Sequence, residues 1–276
     1  MHYDTALDVD GPAASLRRIA AMVRRYAFLI LGSVPRMVEL MYWPLVQMLV
    51  WGFLQMHLAA TTSLFANAAG LLIGSVLLWD ILLRGQFGFS LSFLEEMWSR
   101  NLVNILMSPL RPNEYIAALM VISLIRLAIS MVPVVLLAYL FFDFNLLGLG
   151  LPLAGFFANL VICGWTIGLV ANGVIIRYGM GAESFTWVAV FFLLPLCCVY
   201  YPLSTLPPWL QPLAAALPPT HVFEGLRALV MHGEFHPEQM IRAFALNVVY
   251  FSGAYILFHY CLRLARIKGT LMQIGE

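Results

Sequence analysis

Charge is what this 276-residue chain has least of. Charged residues make up 11% and hydrophobic residues 62% of it, where soluble proteins average about 25% charged. That excludes a water-soluble domain of any size and points to an all-α, polytopic membrane protein. Net charge is +1, so no basic field suggests nucleic acid. Lysine is nearly missing: Lys268 is the only one, and the other cations are arginines. The four cysteines, Cys163, Cys197, Cys198 and Cys261, all lie in apolar runs. A disulfide framework would place them in exterior loops, so they read as small buried hydrophobes. No cleavable leader is apparent, since the first apolar run is too long for one.

Catalytic and nucleotide motifs are missing as well. The sequence has no GxxxxGK[ST] phosphate loop, no HExxH and no GxSxG. His232, Glu234, His236 and Glu238 have a loose metal-like spacing, for which a solvated loop is the simpler account. His259 and Cys261 lack the companions a metal site needs. There is no internal repeat and no low-complexity segment.

Six apolar runs approach or exceed the ~20 residues that a membrane-spanning helix needs. They cover about Met37–Met56, Phe65–Leu83, Tyr115–Phe141, Leu151–Ile176, Phe185–Val199 and Ile241–Leu262. Arginine placement orients them. Arg17, Arg18, Arg24, Arg25 and Arg36 precede the first run, Arg84, Arg100 and Arg111 lie between the second and third, and Arg177 follows the fourth. Arg263, Arg266 and Lys268 close the chain, so both termini are expected in the cytoplasm.

Three segments are neither spans nor simple loops. Leu16–Ile30 is amphipathic: Leu16, Ile19, Ala20, Val23, Ala27 and Ile30 repeat at helical spacing, with Arg17, Arg18, Arg24 and Arg25 on another face. It is expected to lie in the interface with its arginines toward anionic headgroups. In Glu95–Tyr115, Trp98, Leu102, Ile105 and Leu106 share a helical face that excludes Arg100, Asn101 and Asn104. Ser108-Pro109 then stops that helix. Tyr200–Met240 is too apolar for a solvated loop, and Pro202, Pro207, Pro208, Pro212, Pro218 and Pro219 forbid one continuous helix. Short helices dipping into the outer leaflet are expected there.

Ionisable residues inside spans need partners. Asp80 with Arg84, and Arg36 with Glu39, are spaced to pair along one helix and to neutralise each other near the cytoplasmic boundary. Arg126 has no local partner. A carboxylate on another span, such as Glu39 or Asp80, and a polar path are both open to it.

The order and sidedness of these elements resemble the permease subunits of type-2 ATP-binding-cassette (ABC) exporters. Three stretches carry the likeness: Trp98-Ser99-Arg100-Asn101-Leu102 through Ser108-Pro109-Leu110 to Glu114; Tyr201-Pro202 through Pro207-Pro208-Trp209-Leu210; and Pro219-Thr220 with Glu224-Gly225-Leu226-Arg227. Leu217-Pro218-Pro219 departs from the Asn-Pro more usual in the family. The resemblance implies a single membrane domain over residues 1–276, with residues 1–30 as cytosolic tail and interface helix. Residues 96–108 would form a coupling helix, in which Trp98, Arg100, Asn101, Leu102, Ile105, Ser108 and Pro109 meet the ATPase. Residues 200–240 would form a re-entrant exterior gate that includes Pro202, Pro207, Pro208, Pro219, Glu224 and Arg227. It further implies a homodimer in the inner membrane, two separate ATPase subunits that carry ATP and Mg, and export of a glycan, a lipid-linked glycan or a hydrophobic small molecule. This chain itself would bind no cofactor. An ion-coupled secondary transporter is the alternative, but it would call for paired midplane carboxylates and symmetric halves. A lipid-modifying membrane enzyme would call for acid, base or metal clusters.

Overall fold

The computed structural model describes residues 11–61 and 70–268, and those residues are helical almost throughout. In chain order the helices are α1 (Pro12–Leu31), α2 (Val34–Thr61), α3 (Leu71–Trp98), α4 (Leu102–Met107) and α5 (Pro112–Phe142). There follow α6 (Leu151–Tyr178), α7 (Ser184–Leu193), α8 (Gln211–Ala215), α9 (Pro218–His232) and α10 (Pro237–Lys268).

Five of them, α2, α3, α5, α6 and α10, are long and apolar enough to cross a membrane. In the apolar window of α3, 78% of residues are buried, against 17% in α2 and 22% in α10. The bundle is therefore built around α3, with α2 and α10 presenting their sides outward. The α3–α6 contact is close because Gly164 lets the backbones meet. A Cβ at Gly164 would stand 2.8 Å from the Leu82 carbonyl oxygen and 2.9 Å from the Gln86 nitrogen, the small-residue packing typical of membrane helices.

Two of the expected spans take a different form. The second run was expected to end near Leu83, but α3 continues to Trp98, because nothing between Arg84 and Glu95 breaks a helix. The Asp80–Arg84 pair consequently lies mid-helix instead of at a boundary. Phe65 to Ala69 of that run lie outside the described residues. The fifth run, Phe185–Val199, is a ten-residue helix followed by turns from Leu194 to Cys198. Ten residues rise ~15 Å, about half of a ~30 Å hydrocarbon core. Pro195 lacks the N–H that would continue the ladder, and Cys198 adopts a left-handed φ of 52°.

Two apolar clusters fill the bundle. One joins Trp79, Leu77 and Leu78 of α3 to Phe156 of α6 and to Val222, Phe223 and Leu226 of α9. The other, toward Trp98, joins Phe89 and Phe93 to Tyr26 and Ile30 of α1, Tyr115 and Ile122 of α5, and Phe258 of α10. All four cysteines are free and buried.

Candidate functional site

At the Trp98 end of α3, carboxylates and arginines from four helices converge. Glu114 opens this hub. Pro112 suits the first turn of α5, and the Glu114 carboxylate accepts the Arg111 N–H at 2.9 Å, capping the helix. The same carboxylate receives Arg18 of α1 in a two-pronged bond of 2.8 and 2.6 Å. Glu96, 1% exposed, accepts two bonds from Arg25, the Nη2 one at 3.0 Å, and one from the Asn101 amide at 2.8 Å. The bond to Glu96 raises the Arg25 pKa, against the opposing effect of burial. Glu95 binds Arg126 of α5 at 2.9 Å and lies 3.9 Å from Arg36 of α2. Tyr26 is fully buried beneath these pairs and donates to the Ser92 carbonyl at 3.2 Å.

This arrangement revises the expected placement of α1. Its arginines divide: Arg18 and Arg25 reach carboxylates, Arg25 with its side chain still 41% exposed, while Arg17 and Arg24 are exposed. Met22, Tyr26 and Ile30 form the buried face, whereas Leu16 and Phe28 are exposed at 66% and 76%. Arginines two turns apart on one face can reach carboxylates on α3 and α5, which a headgroup reading of their positions does not anticipate. Arg126 likewise finds its carboxylate in Glu95, which neither Glu39 nor Asp80 supplies. The sequence places Glu95 outside a span, and only the unbroken α3 carries it to Arg126. Arg36 turns to Glu95 instead of Glu39.

The segment after α3 also differs from the amphipathic helix expected. Between Trp98 and Leu102 the chain makes a Schellman turn. Asn101 N–H donates to the Glu96 carbonyl at 2.9 Å, Arg100 N–H to Met97 at 3.0 Å, and Arg100 adopts a φ of 53°. Trp98 therefore leaves the face it was expected to share and donates to Glu183 at 3.1 Å. Leu102 and Ile105 are 3% and 8% exposed and pack into the cluster with Met97 and Ile116. They anchor α4 to the bundle. The outward rim is made instead by Trp98, Arg100, Asn104, Met107, Ser108 and Pro109, with Met107 at 81% exposed. Asn101 is half-buried against Glu96.

At the other end of the bundle, α9 begins with buried Pro218 and Pro219 and presses Phe223 against Trp79. Glu224 accepts the Leu203 N–H and the Arg227 guanidinium, both at 2.8 Å. Arg227 also donates to the Cys198 carbonyl at 2.8 Å. Glu224 and Arg227 thus tie the turns after α7 to α9. Pro202, Pro207 and Pro208 stay exposed, and Pro202 bounds a short 3-10 turn at Leu203–Thr205. The His236 and Glu234 side chains are exposed and 3.6 Å apart. Among the described residues no three metal-binding side chains cluster. Between α6, α7 and α10 lies an apolar cavity of about 710 Å³, on the face of α7 opposite Trp187.

A bundle of five candidate spans, tied at one end by an arginine–carboxylate hub, defines a multi-pass helical membrane domain. Residues 22–231 match the ABC-2 type transporter family, and the chain belongs to that family. It is therefore a permease, the transmembrane component of an ABC transporter, and membership implies partnership with an ABC ATPase subunit. No curated protein matches the sequence.

Proposed function

We propose that this chain is the permease of an ABC exporter, moving a glycan, a lipid-linked glycan or a hydrophobic small molecule outward on energy from two separate ATPase subunits that carry ATP and Mg. It works as a homodimer in the inner membrane with both termini in the cytoplasm. The arginine asymmetry of the sequence supports that orientation. In this reading α7 and the turns after it complete a sixth crossing, with Arg227 and Glu224 holding its outer end. The substrate itself stays open between a glycan, a lipid-linked glycan and a hydrophobic small molecule.

The observation that carries the reading is the hub. A push on the rim of Trp98, Arg100, Asn104, Met107, Ser108 and Pro109 is delivered to a short helix whose Leu102 and Ile105 are buried in the cluster around α3. Glu96, Glu114 and Glu95 tie that helix's surroundings to α1 and α5 through close ion pairs on buried or largely buried carboxylates. Such pairs are costly to separate, so α1, α3, α4 and the start of α5 move together and carry the push to the spans.

Cross-linking tests the contact. With a co-expressed ATPase from the same locus, cysteines at Asn104→Cys and Met107→Cys are expected to join the ATPase, and Val230→Cys, at the far end of the bundle, is not. An absence of ATPase cross-links from both rim positions contradicts the docking surface. Uphill transport by the lone chain on a proton gradient would instead favour the secondary-transporter reading.

A further inference from the structure

Helix α3 carries one open stripe. From Ile73 to Leu83 every residue is buried. Beyond that, Arg84, Phe87, Leu91 and Glu95 are partly open and Trp98 is exposed, while every residue between them is buried. Their spacing of three or four residues places them on one face. The stripe runs between α2, whose Arg36 reaches Glu95, and α7, whose Trp187 packs on Phe87 with ring centroids 4.9 Å apart. It begins at the hub and ends mid-helix at Arg84. Beyond that point Trp51 stacks on Tyr200 at 4.6 Å.

The charge at the blind end has an accessible and an inaccessible half. Asp80 is wholly buried, and neither carboxylate oxygen accepts a hydrogen bond among the described residues. The Arg84 side chain is 14% exposed and stands 3.9 Å from Asp80, too far for a hydrogen bond. Its Nε is also without a partner. Asp80 thus balances the guanidinium's charge without using its donors. A charged side chain held within a membrane span, with donors to spare, marks a functional position. At the entrance Glu95 faces two cations, Arg36 and Arg126, and Trp98 is met by Glu183, so carboxylates as well as cations line the mouth. The wall between mouth and end is apolar.

Resting on the permease reading above, we propose that this stripe receives an amphiphile with an anionic head, a phosphate or a carboxylate, and that Arg84 binds the anion. Guanidinium matches both groups with paired donors. The apolar part lies along Phe87 and Leu91. Asp80 lies behind Arg84 and offsets its charge, with no hydrogen bond between them. A cationic substrate does not fit, because the carboxylate of Asp80 at the blind end is sealed behind Arg84.

The test uses the permease–ATPase complex in phosphatidylcholine nanodiscs, titrated calorimetrically with dodecyl phosphate, dodecyltrimethylammonium and inorganic phosphate. Dodecyl phosphate is expected to bind and the cation is not. Arg84→Gln is expected to weaken dodecyl phosphate at least tenfold, and Arg84→Lys to restore part of the loss. Because Arg84→Gln strands Asp80, the neutral pair Asp80→Asn with Arg84→Gln serves as the folding control and must also lose binding. Asp80→Asn alone is expected to bind as tightly as the native chain or more tightly. Equal binding of inorganic phosphate overturns the amphiphile, and undiminished binding by the neutral pair overturns Arg84. If the complex assembles and hydrolyses ATP yet binds none of the probes, this inference fails while the permease reading stands. Failure to assemble sinks that reading itself.

Discussion

Arg18 and Glu114 show how two residues 96 positions apart in sequence decide where a helix lies. Both are largely buried, at 17% and 6% side-chain exposure, and their two-pronged geometry is the strong form of this contact. Removing one partner of such a pair costs about 3–5 kcal/mol. Arg18→Ala is therefore expected to lower the melting temperature in detergent clearly, and Arg18→Met with Glu114→Gln to recover most of it. Indistinguishable melting of Arg18→Ala and the native chain rules out the pairing. Gly164 sets a different constraint. Gly164→Ala places a methyl against backbone on α3, which cannot rotate away, and overpacking of this kind costs about 1–3 kcal/mol. Gly148→Ala, whose Cβ would have the Asn145 side chain as its nearest neighbour at 3.6 Å, an ordinary contact, is expected to melt like the native chain.

Elements show which parts of this structure were legible in the sequence. Hydropathy located α2, α5, α6 and α10 to within a few residues, because lipid permits little besides a continuous helix. It misplaced the end of α3. Polar residues after Arg84 ended the apolar run, but Gln86, Ser90 and Ser92 are buried within the bundle, and composition alone does not say which polar residues have partners. The Tyr200–Met240 segment was recognisable from its prolines as short helices, since each proline fixes where a helix can begin. The inward turn of Leu102 and Ile105 was not. It depends on the Schellman turn at Arg100, and arginine is not a residue that announces a left-handed conformation. That turn gives a direct contrast between two faces of α4. Leu102→Asp is expected to destabilise the fold by burying a charge, whereas Met107→Asp leaves melting unchanged and weakens ATPase association about tenfold or more, read by co-purification. Equal effects of the two on stability contradict the orientation of α4. Topology is open to labelling, because the native cysteines are buried. Ser204→Cys is expected to react from outside intact cells and Asn104→Cys only after permeabilisation. The opposite pattern reverses the orientation.

At the scale of the whole molecule, the bundle is firm at its centre and unfinished at its sides. Helix α3 is wrapped by its neighbours, while α2 exposes Trp43, Val50 and Phe53 and α10 exposes Ile241, Val249 and Ile256. Lipid covers such surfaces at no cost, and so does a second copy of the chain, which the homodimer reading requires. The hub ties one end of the bundle and the Glu224–Arg227 contacts tie the other. Under the proposed function, a push applied at the α4 rim would reach α9 through α3. The central claim is that an ATPase acts on this chain through that rim. The most direct measurement is the ATP hydrolysis rate of the partner ATPase, free and bound to the chain in nanodiscs, with native and Met107→Asp permease. The account predicts that binding the native chain changes the rate several-fold and that Met107→Asp abolishes the change. A rate that is the same free, bound and with the variant would contradict it.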